Sequence, residues 1–225
     1  MVPRDEFWRV MEAYSTGIRP AQIIFYIAAI LIVGWLFLRP GRVQVLLAKL
    51  YLSIAFAWLG IVFDFTLARD IAGDSYGNYI VGSVFIIISV LFAIDLFRHK
   101  MSFSLPTAGW RRHTTLVLTL LVLCYPLFGI AFGHRFTSLI MPGTFPCPTV
   151  ALGLLLLTMA LPRADKVIYI LLLICAIPFT PLYITRYGVY EDTILLATGI
   201  YSLVLLLRYW KAENLSPDPS GDDQC

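Results

Sequence analysis

Seven apolar runs, each close to the length of a membrane-crossing helix, restrict what this sequence can fold into. The hydrocarbon core of a bilayer is about 30 Å thick, and a helix of roughly 20 apolar residues crosses it. Charged residues or Pro/Gly turns bound every run. The runs cover residues 21–38, 43–67, 78–97, 114–132, 148–161, 167–184 and 190–209. We therefore expect an all-α bundle of seven transmembrane helices.

The composition excludes a soluble domain. Hydrophobic residues make up 59% of the chain and charged residues 14%, whereas a soluble domain has about 45–50% and about 25%. The formal net charge of +3 is too small and too scattered for a protein that binds nucleic acid. The expected partners are the lipid bilayer and a small solute or ion.

The placement of Lys and Arg predicts the orientation, because short cytoplasmic loops are enriched in these residues. One set of alternate loops holds ten of them: Arg39, Arg42, Arg98, Lys100, Arg111, Arg112, Arg163, Lys166, Arg208 and Lys211. The other set holds six: Arg4, Arg9, Arg19, Arg69, Arg135 and Arg186. The N-terminus is therefore predicted to lie outside and the C-terminus in the cytoplasm.

Both ends of the chain differ from its centre. Residues 1–19 are predicted to form an amphipathic helix in the membrane interface, because apolar side chains recur there at helical spacing. These side chains are Phe7, Trp8, Val10, Met11 and Tyr14. Residues 20–211 hold the seven helices. Residues 212–225, rich in Pro, Ser, Gly and Asp, are predicted to be a disordered cytoplasmic tail.

The stretch from Met141 to Thr149 is the most unusual part of the sequence. Its prolines and Gly143 are expected to delay the fifth helix until Pro148, which leaves a helix of about 21 Å. Such a helix is too short to cross the bilayer, so irregular backbone should lie at membrane depth beside a polar pit that opens outward. Cys147 is expected at the helix N-cap, where a thiolate is favoured. The alternative is a proline-rich helix start with an inert thiol.

Four further ionisable side chains fall at the same outer level and complete the candidate site. Asp64 has apolar neighbours, His134 is the one outer histidine, and Glu191 and Asp192 open the seventh run. Each has an ordinary explanation as a surface group, a helix-dipole partner or an ion pair with Arg69. An ionisable group at membrane depth is nevertheless a functional candidate.

The same groups suit two kinds of chemistry. A thiolate, an imidazole and a carboxylate together fit a divalent cation such as zinc, so His134, Cys147, Glu191 and Asp192 are candidate metal ligands. The milder hypothesis is a hydrogen-bonded proton relay.

Two charges near the cytoplasmic edge receive ordinary interpretations. Asp95 is expected to pair with Arg98 or His99 on the surface of its own helix. Lys49, inside the second run, is expected to extend its ammonium group to the cytoplasmic interface.

Several motifs together resemble an uncharacterised, domain-of-unknown-function family of small bacterial multi-pass proteins. The residues that carry the resemblance are Glu6–Tyr14, Arg19–Ile23, Gly133-His134, the Phe145-Pro-Cys-Pro-Thr149 motif and Glu191-Asp192 with Leu195 and Leu196. It spans nearly the whole chain and implies a bacterial inner (plasma) membrane protein. It implies no activity.

Transport or permeation of a small solute, a proton or a metal ion ranks first among the functions, because broken helices and intramembrane ionisable groups favour it. One alternative is a membrane-embedded enzyme or thiol protein, which requires Cys147 and His134 within hydrogen-bonding reach. Another is a structural or sensory partner. A retinal protein is excluded, because the seventh run has no lysine for a Schiff base.

Overall fold

A computed structural model describes residues 3–68, 75–107 and 109–215, and all regular secondary structure in these ranges is helical. The helices are α1 (Arg4–Gly17), α2 (Arg19–Leu38), α3 (Arg42–Trp58), α4 (Ser75–Arg98), α5 (Gly109–Leu123), α6 (Tyr125–Ala131), α7 (Pro146–Ala160), α8 (Lys166–Ala176), α9 (Thr180–Tyr187) and α10 (Thr193–Leu215). A π-helical segment, Leu59–Ala68, continues α3, and 3-10 turns lie at Phe136–Ser138 and Tyr190–Asp192.

Membrane-length apolar helices are present, as the hydropathy predicts. Five stretches of the described chain are long and apolar enough to cross a bilayer: Arg19–Leu38, Arg42–Thr66, Tyr79–Arg98, Lys166–Tyr187 and Tyr190–Trp210. Helices α5 and α6 make a sixth if their 61° bend lies within one span. The predicted all-α architecture is therefore confirmed.

Prolines account for the breaks between α5 and α6 and between α8 and α9. A proline cannot donate the backbone hydrogen bond of a helix interior, and its ring clashes with the preceding turn. Pro126 follows the first residue of α6, at the bend from α5. Pro178 lies in the gap between α8 and α9, and Pro181 in the first turn of α9, so the predicted break of the sixth run is present.

Helix α7 lies at the centre of the bundle. Every residue from Pro148 to Ala160 is buried, and the helix packs against α3, α5, α8 and α10. A helix that is apolar on all sides is stable in such a position. Because neighbouring helices surround α7, its short length does not expose backbone to lipid.

A glycine contact brings α4 close to the π-helical segment. A Cβ atom at Gly60 would lie 2.6 Å from the carbonyl oxygen of Gly82, a distance that no side chain tolerates. Small residues permit this approach of two backbones, which is common between membrane helices.

The expectations for Lys49 and Asp95 were wrong. Lys49 is 1% exposed, and its Nζ lies 2.7 Å from Oδ2 of Asp95. The Asp95 carboxylate also accepts the backbone N–H groups of Lys100 and Met101, at 3.1 and 3.3 Å. Lys49 therefore stays inside the protein because packing of α3 against α4 supplies a closer partner than the interface.

Candidate functional site

Glu191 and Asp192 form the centre of a buried polar cluster. Helix α9 ends at Gly188, which has a left-handed φ of 70°, and the chain then enters the 3-10 turn that precedes α10. This turn directs both carboxylates into the protein, where Glu191 is 1% exposed and Asp192 is 0% exposed. Their burial is far greater than a role as helix-dipole partners at the surface requires.

Glu191 is paired with His134. His134 Nε2 lies 3.2 Å from Glu191 Oε2, and the histidine side chain is 11% exposed. The loop after α6 holds the histidine, because the His134 backbone N–H donates to the Gly129 carbonyl at 2.9 Å. The Trp8 ring of α1 stacks on the imidazole with 4.0 Å between ring centroids.

Asp192 accepts hydrogen bonds from two other side chains. The Tyr125 hydroxyl donates to Oδ1, and the Cys147 thiol donates to Oδ2 with a distance of 3.3 Å from Sγ. Tyr125 opens α6 and is completely buried. The cluster therefore joins α6, α7 and the turn before α10.

The sequence predicted Cys147 at the helix N-cap, and this prediction was wrong. Phe145 is the N-cap, and α7 begins at Pro146. The first-turn N–H groups of a helix have no intrahelical partner, so Pro146 and Pro148 both fit there without losing a hydrogen bond. Cys147 consequently lies within the first turn, between the two prolines.

The irregular segment before α7 is buried, and side chains satisfy its backbone. The Gly143 N–H donates to Oγ1 of Thr149 at 2.7 Å, and that hydroxyl donates to the Phe145 carbonyl at 2.6 Å. Gly143 has a φ of 96°, and a Cβ there would lie 2.6 Å from the Tyr51 hydroxyl. Only glycine fits this position.

Helix α1 covers the cluster and the irregular segment. Trp8 Nε1 donates to the Tyr187 carbonyl at 2.9 Å, and the Phe7 and Tyr187 rings stack with centroids 4.2 Å apart. The Tyr14 hydroxyl donates to the Thr144 carbonyl at 3.1 Å. Burial raises the pKa of Tyr14 well above its usual range, so this hydroxyl stays a donor. The apolar face of α1 thus docks on the protein.

Asp64 lies apart from the two pairs. It belongs to the π-helical segment and is 4% exposed, and its Oδ2 has no hydrogen-bond partner among the described residues. Its proposed partner Arg69 lies outside those residues. No hydrogen bond in the described chain joins Asp64 to the cluster.

The four candidate metal ligands form two pairs instead of one shared site. No group of three or more His, Cys, Asp or Glu side chains in the described ranges is arranged to hold a metal ion. His134 and Cys147 each contact a different carboxylate. The arrangement suits exchange of protons along hydrogen bonds.

The sequence missed one member of the cluster, Tyr125, and the ring that covers it, Trp8. Tyr125 lies in an apolar run, and a single tyrosine there does not indicate a polar site. The one available signal was the adjacent Pro126, which marks a helix break at which a polar side chain can face the protein interior. Trp8 was assigned to the apolar face of α1, and no sequence signal could pair it with His134, 126 positions away.

The sequence profile of one protein family matches residues 4–216. The chain belongs to this family, DUF6064, a family of unknown function. The DUF6064 match includes α1, the cluster and all of α10, so the covering helix belongs to the family's domain. No curated protein matches the chain significantly. No solved structure matches it significantly either.

Proposed function

We propose that this protein is a multi-pass transporter of the bacterial inner membrane that moves protons, alone or together with a small solute. The cluster of His134, Glu191, Asp192, Tyr125 and Cys147 is its proton-binding site. A proton fits the cluster better than a metal ion, because no three ligand side chains of the described chain come together.

One observation carries the proposal: two adjacent carboxylates are buried at the start of an apolar helix without a fixed positive charge. Among the described residues, neither Glu191 nor Asp192 forms an ion pair with a lysine or arginine. Their partners are an imidazole, a phenol and a thiol, all of which can gain or lose a proton. Such groups inside a membrane protein are expensive and are typical of proton relays.

The partial exposure of His134 supports a direction for the relay. Its imidazole is 11% exposed while Glu191 is 1% exposed, so His134 is the first group that a proton from outside meets. The proton passes from Nε2 to Oε2 of Glu191. Asp192, the next residue, forms the second pair with Tyr125 and Cys147, and no hydrogen bond of the described chain joins the two pairs, so transfer from Glu191 to Asp192 requires a movement of the turn that carries both.

The proposed topology has seven crossings with the N-terminus outside. Five membrane-length stretches, the bent pair of α5 and α6, and the central helix α7 together correspond to the seven apolar runs. The ten-to-six distribution of Lys and Arg supports an outer position for the cluster. Helix α1 covers the cluster, so it has to move before a solute larger than a proton can reach these side chains.

The geometry supports the enzyme alternative less well. A Cys–His nucleophile requires the imidazole to accept the thiol proton. Cys147 instead donates to Asp192, and no hydrogen bond joins it to His134 within the part of the chain that the structure describes.

The test is proton flux into liposomes that contain the purified protein and an internal pH-sensitive dye. With a pH gradient and a potassium–valinomycin potential, the wild type should acidify the lumen faster than empty liposomes. Asp192→Asn and Glu191→Gln should each reduce the rate at least tenfold, because an amide cannot take up the proton. Asp5→Asn, on the exposed side of α1, is the matched control and should keep the wild-type rate.

Cys147→Ser distinguishes a proton transporter from an enzyme that uses the Cys147 thiol. Serine also donates to Asp192, so proton flux should persist within about threefold, whereas a thiol enzyme would lose all activity. Flux of the wild type no faster than in empty liposomes, or an unchanged rate in folded Asp192→Asn protein, would overturn the proposal.

A further inference from the structure

A cavity lies at the end of the bundle opposite to the polar cluster. It has a volume of about 470 Å³, within the range of roughly 300–1,000 Å³ that is usual for small-molecule sites. Its walls come from the loop between α2 and α3, the first turns of α3 and the loop after α4. The lining includes Arg42, Lys49, His99, Ser102 and Ser104.

The cavity carries the uncompensated positive charge of Arg42, since Asp95 balances the charge of Lys49. Arg42, Lys49 and His99 line it, and none of its described lining residues is acidic. Arg42 is exposed and forms no ion pair within the described residues. The α3 N-terminus beside it has no side-chain cap, since its N-cap is Gly41.

The buried ion pair at the cavity leaves hydrogen-bond donors unused. Lys49 Nζ is paired with one carboxylate oxygen, Oδ2 of Asp95, whereas an ammonium group has three protons to donate. The Asp95 carboxylate, in contrast, already accepts Lys49 and two backbone N–H groups. Lys49 lines this wall, and the hydrogen bonds from the backbone of Lys100 and Met101 to Asp95 hold the loop after α4 against it.

Apolar side chains complete the lining. Val45, Leu46, Met101 and Phe103 face the cavity. Leu38 and Phe97, at the ends of α2 and α4 nearby, are 83% and 86% exposed, as lipid-facing side chains are. The cavity thus combines a wall of basic and hydroxyl side chains with an apolar border.

We propose that this cavity binds the phosphate group of an anionic ligand, carried by a phospholipid headgroup or by a free phosphate ester. Phosphate has several oxygen acceptors, which match one ammonium, one guanidinium and two hydroxyl donors. Basic pockets on the cytoplasmic side of membrane proteins bind anionic headgroups in this way. The site is independent of the proton-binding cluster.

Binding of short-chain dihexanoyl phosphatidic acid to the purified full chain in neutral detergent, measured by calorimetry, tests the proposal. Wild-type protein should bind it, and zwitterionic dihexanoyl phosphatidylcholine should bind at least tenfold more weakly. Arg42→Gln should raise the Kd about tenfold, the usual effect of one charge-assisted contact. Arg163→Gln, an exposed arginine outside the cavity, is the matched control and should leave the Kd unchanged.

A second variant tests the buried wall without leaving an unpaired acid. Lys49→Met combined with Asp95→Asn removes both charges, keeps an acceptor for the backbone of the loop after α4, and should also weaken binding at least tenfold. Glycerol phosphate, added as a separate probe, distinguishes the sources: equal affinity indicates a free phosphate ester, and much weaker affinity indicates a lipid. The proposal is wrong if neither probe binds the wild type, or if Arg42→Gln and Arg163→Gln have the same Kd.

Discussion

Buried acidic side chains in this protein are stabilised in two different ways. Asp95 is neutralised by Lys49 and by backbone N–H groups. Glu191 and Asp192 instead contact groups that can exchange protons. The first arrangement fixes a charge and holds two helices together, whereas the second allows the charge to change. The residues therefore divide into structural and functional candidates by the chemistry of their partners.

Replacing one member of the fixed pair should destabilise the fold strongly. Lys49→Met leaves the Asp95 carboxylate buried without its counter-ion, which costs about 3–5 kcal/mol of unfolding free energy. The loss of unfolding free energy is measured by unfolding the protein in mixed micelles of increasing SDS content. The double variant with Asp95→Asn should recover part of the loss, because the amide carries no charge and its oxygen can still accept the backbone N–H groups of Lys100 and Met101.

The side chain of Lys100 provides the control for this experiment. It is exposed, and only its backbone contacts Asp95, so Lys100→Gln should change the unfolding free energy by less than about 0.5 kcal/mol. A single Lys49→Met variant as stable as the wild type would show that the ion pair does not hold α3 to α4.

At the scale of elements, α1 is the part whose role depends most on docking. Its apolar face packs on α9 and on the segment before α7, and Trp8 covers His134. The sequence predicted the helix and its apolar face. The same spacing of apolar residues suits a helix that lies on lipid and a helix that packs on protein. Only the contacts of α1 with other side chains distinguish a helix that covers a site from one that lies in the membrane interface.

Removal of the Trp8 ring should expose the cluster. In Trp8→Ala protein, a charged thiol reagent added from the side of α1 should label Cys147 at least tenfold faster than in the wild type, because the ring no longer shields the site. Peptide mass spectrometry identifies which cysteine is labelled, and Cys124 and Cys175 are internal references. Trp35→Ala removes a 46% exposed ring from α2 and should leave the labelling rate unchanged. A rate that Trp8→Ala does not raise would mean that α1 is no cover.

At the scale of the whole molecule, the asymmetry of Lys and Arg predicts one orientation. Reporter fusions truncated after Met101 and after Leu215 should both give a cytoplasmic signal in a bacterial host, because both positions follow the loops that are rich in basic residues. Moving the reporter to Arg135 should give a periplasmic signal. A periplasmic signal from either of the first two fusions would reverse the assignment and place the polar cluster inside.

The sequence by itself determined the helical class and the main segments. An apolar run of bilayer length is stable in a membrane as an α-helix, because the helix satisfies its own backbone hydrogen bonds. Prolines end helices through local geometry. The helical segments and the break at Pro178 could therefore be predicted without knowledge of tertiary contacts. The candidate residues His134, Cys147, Glu191 and Asp192 were found because charges and thiols are conspicuous in apolar sequence.

Tertiary structure alone decided which of these groups meet and which lie buried. The Lys49 ammonium lies against Asp95, Tyr125 joins Asp192, and α1 covers His134. The physical reason is that hydropathy records a residue's own transfer free energy, whereas a buried polar group is stabilised by partners distant in the chain. Partner choice therefore follows from helix packing, which no local pattern encodes.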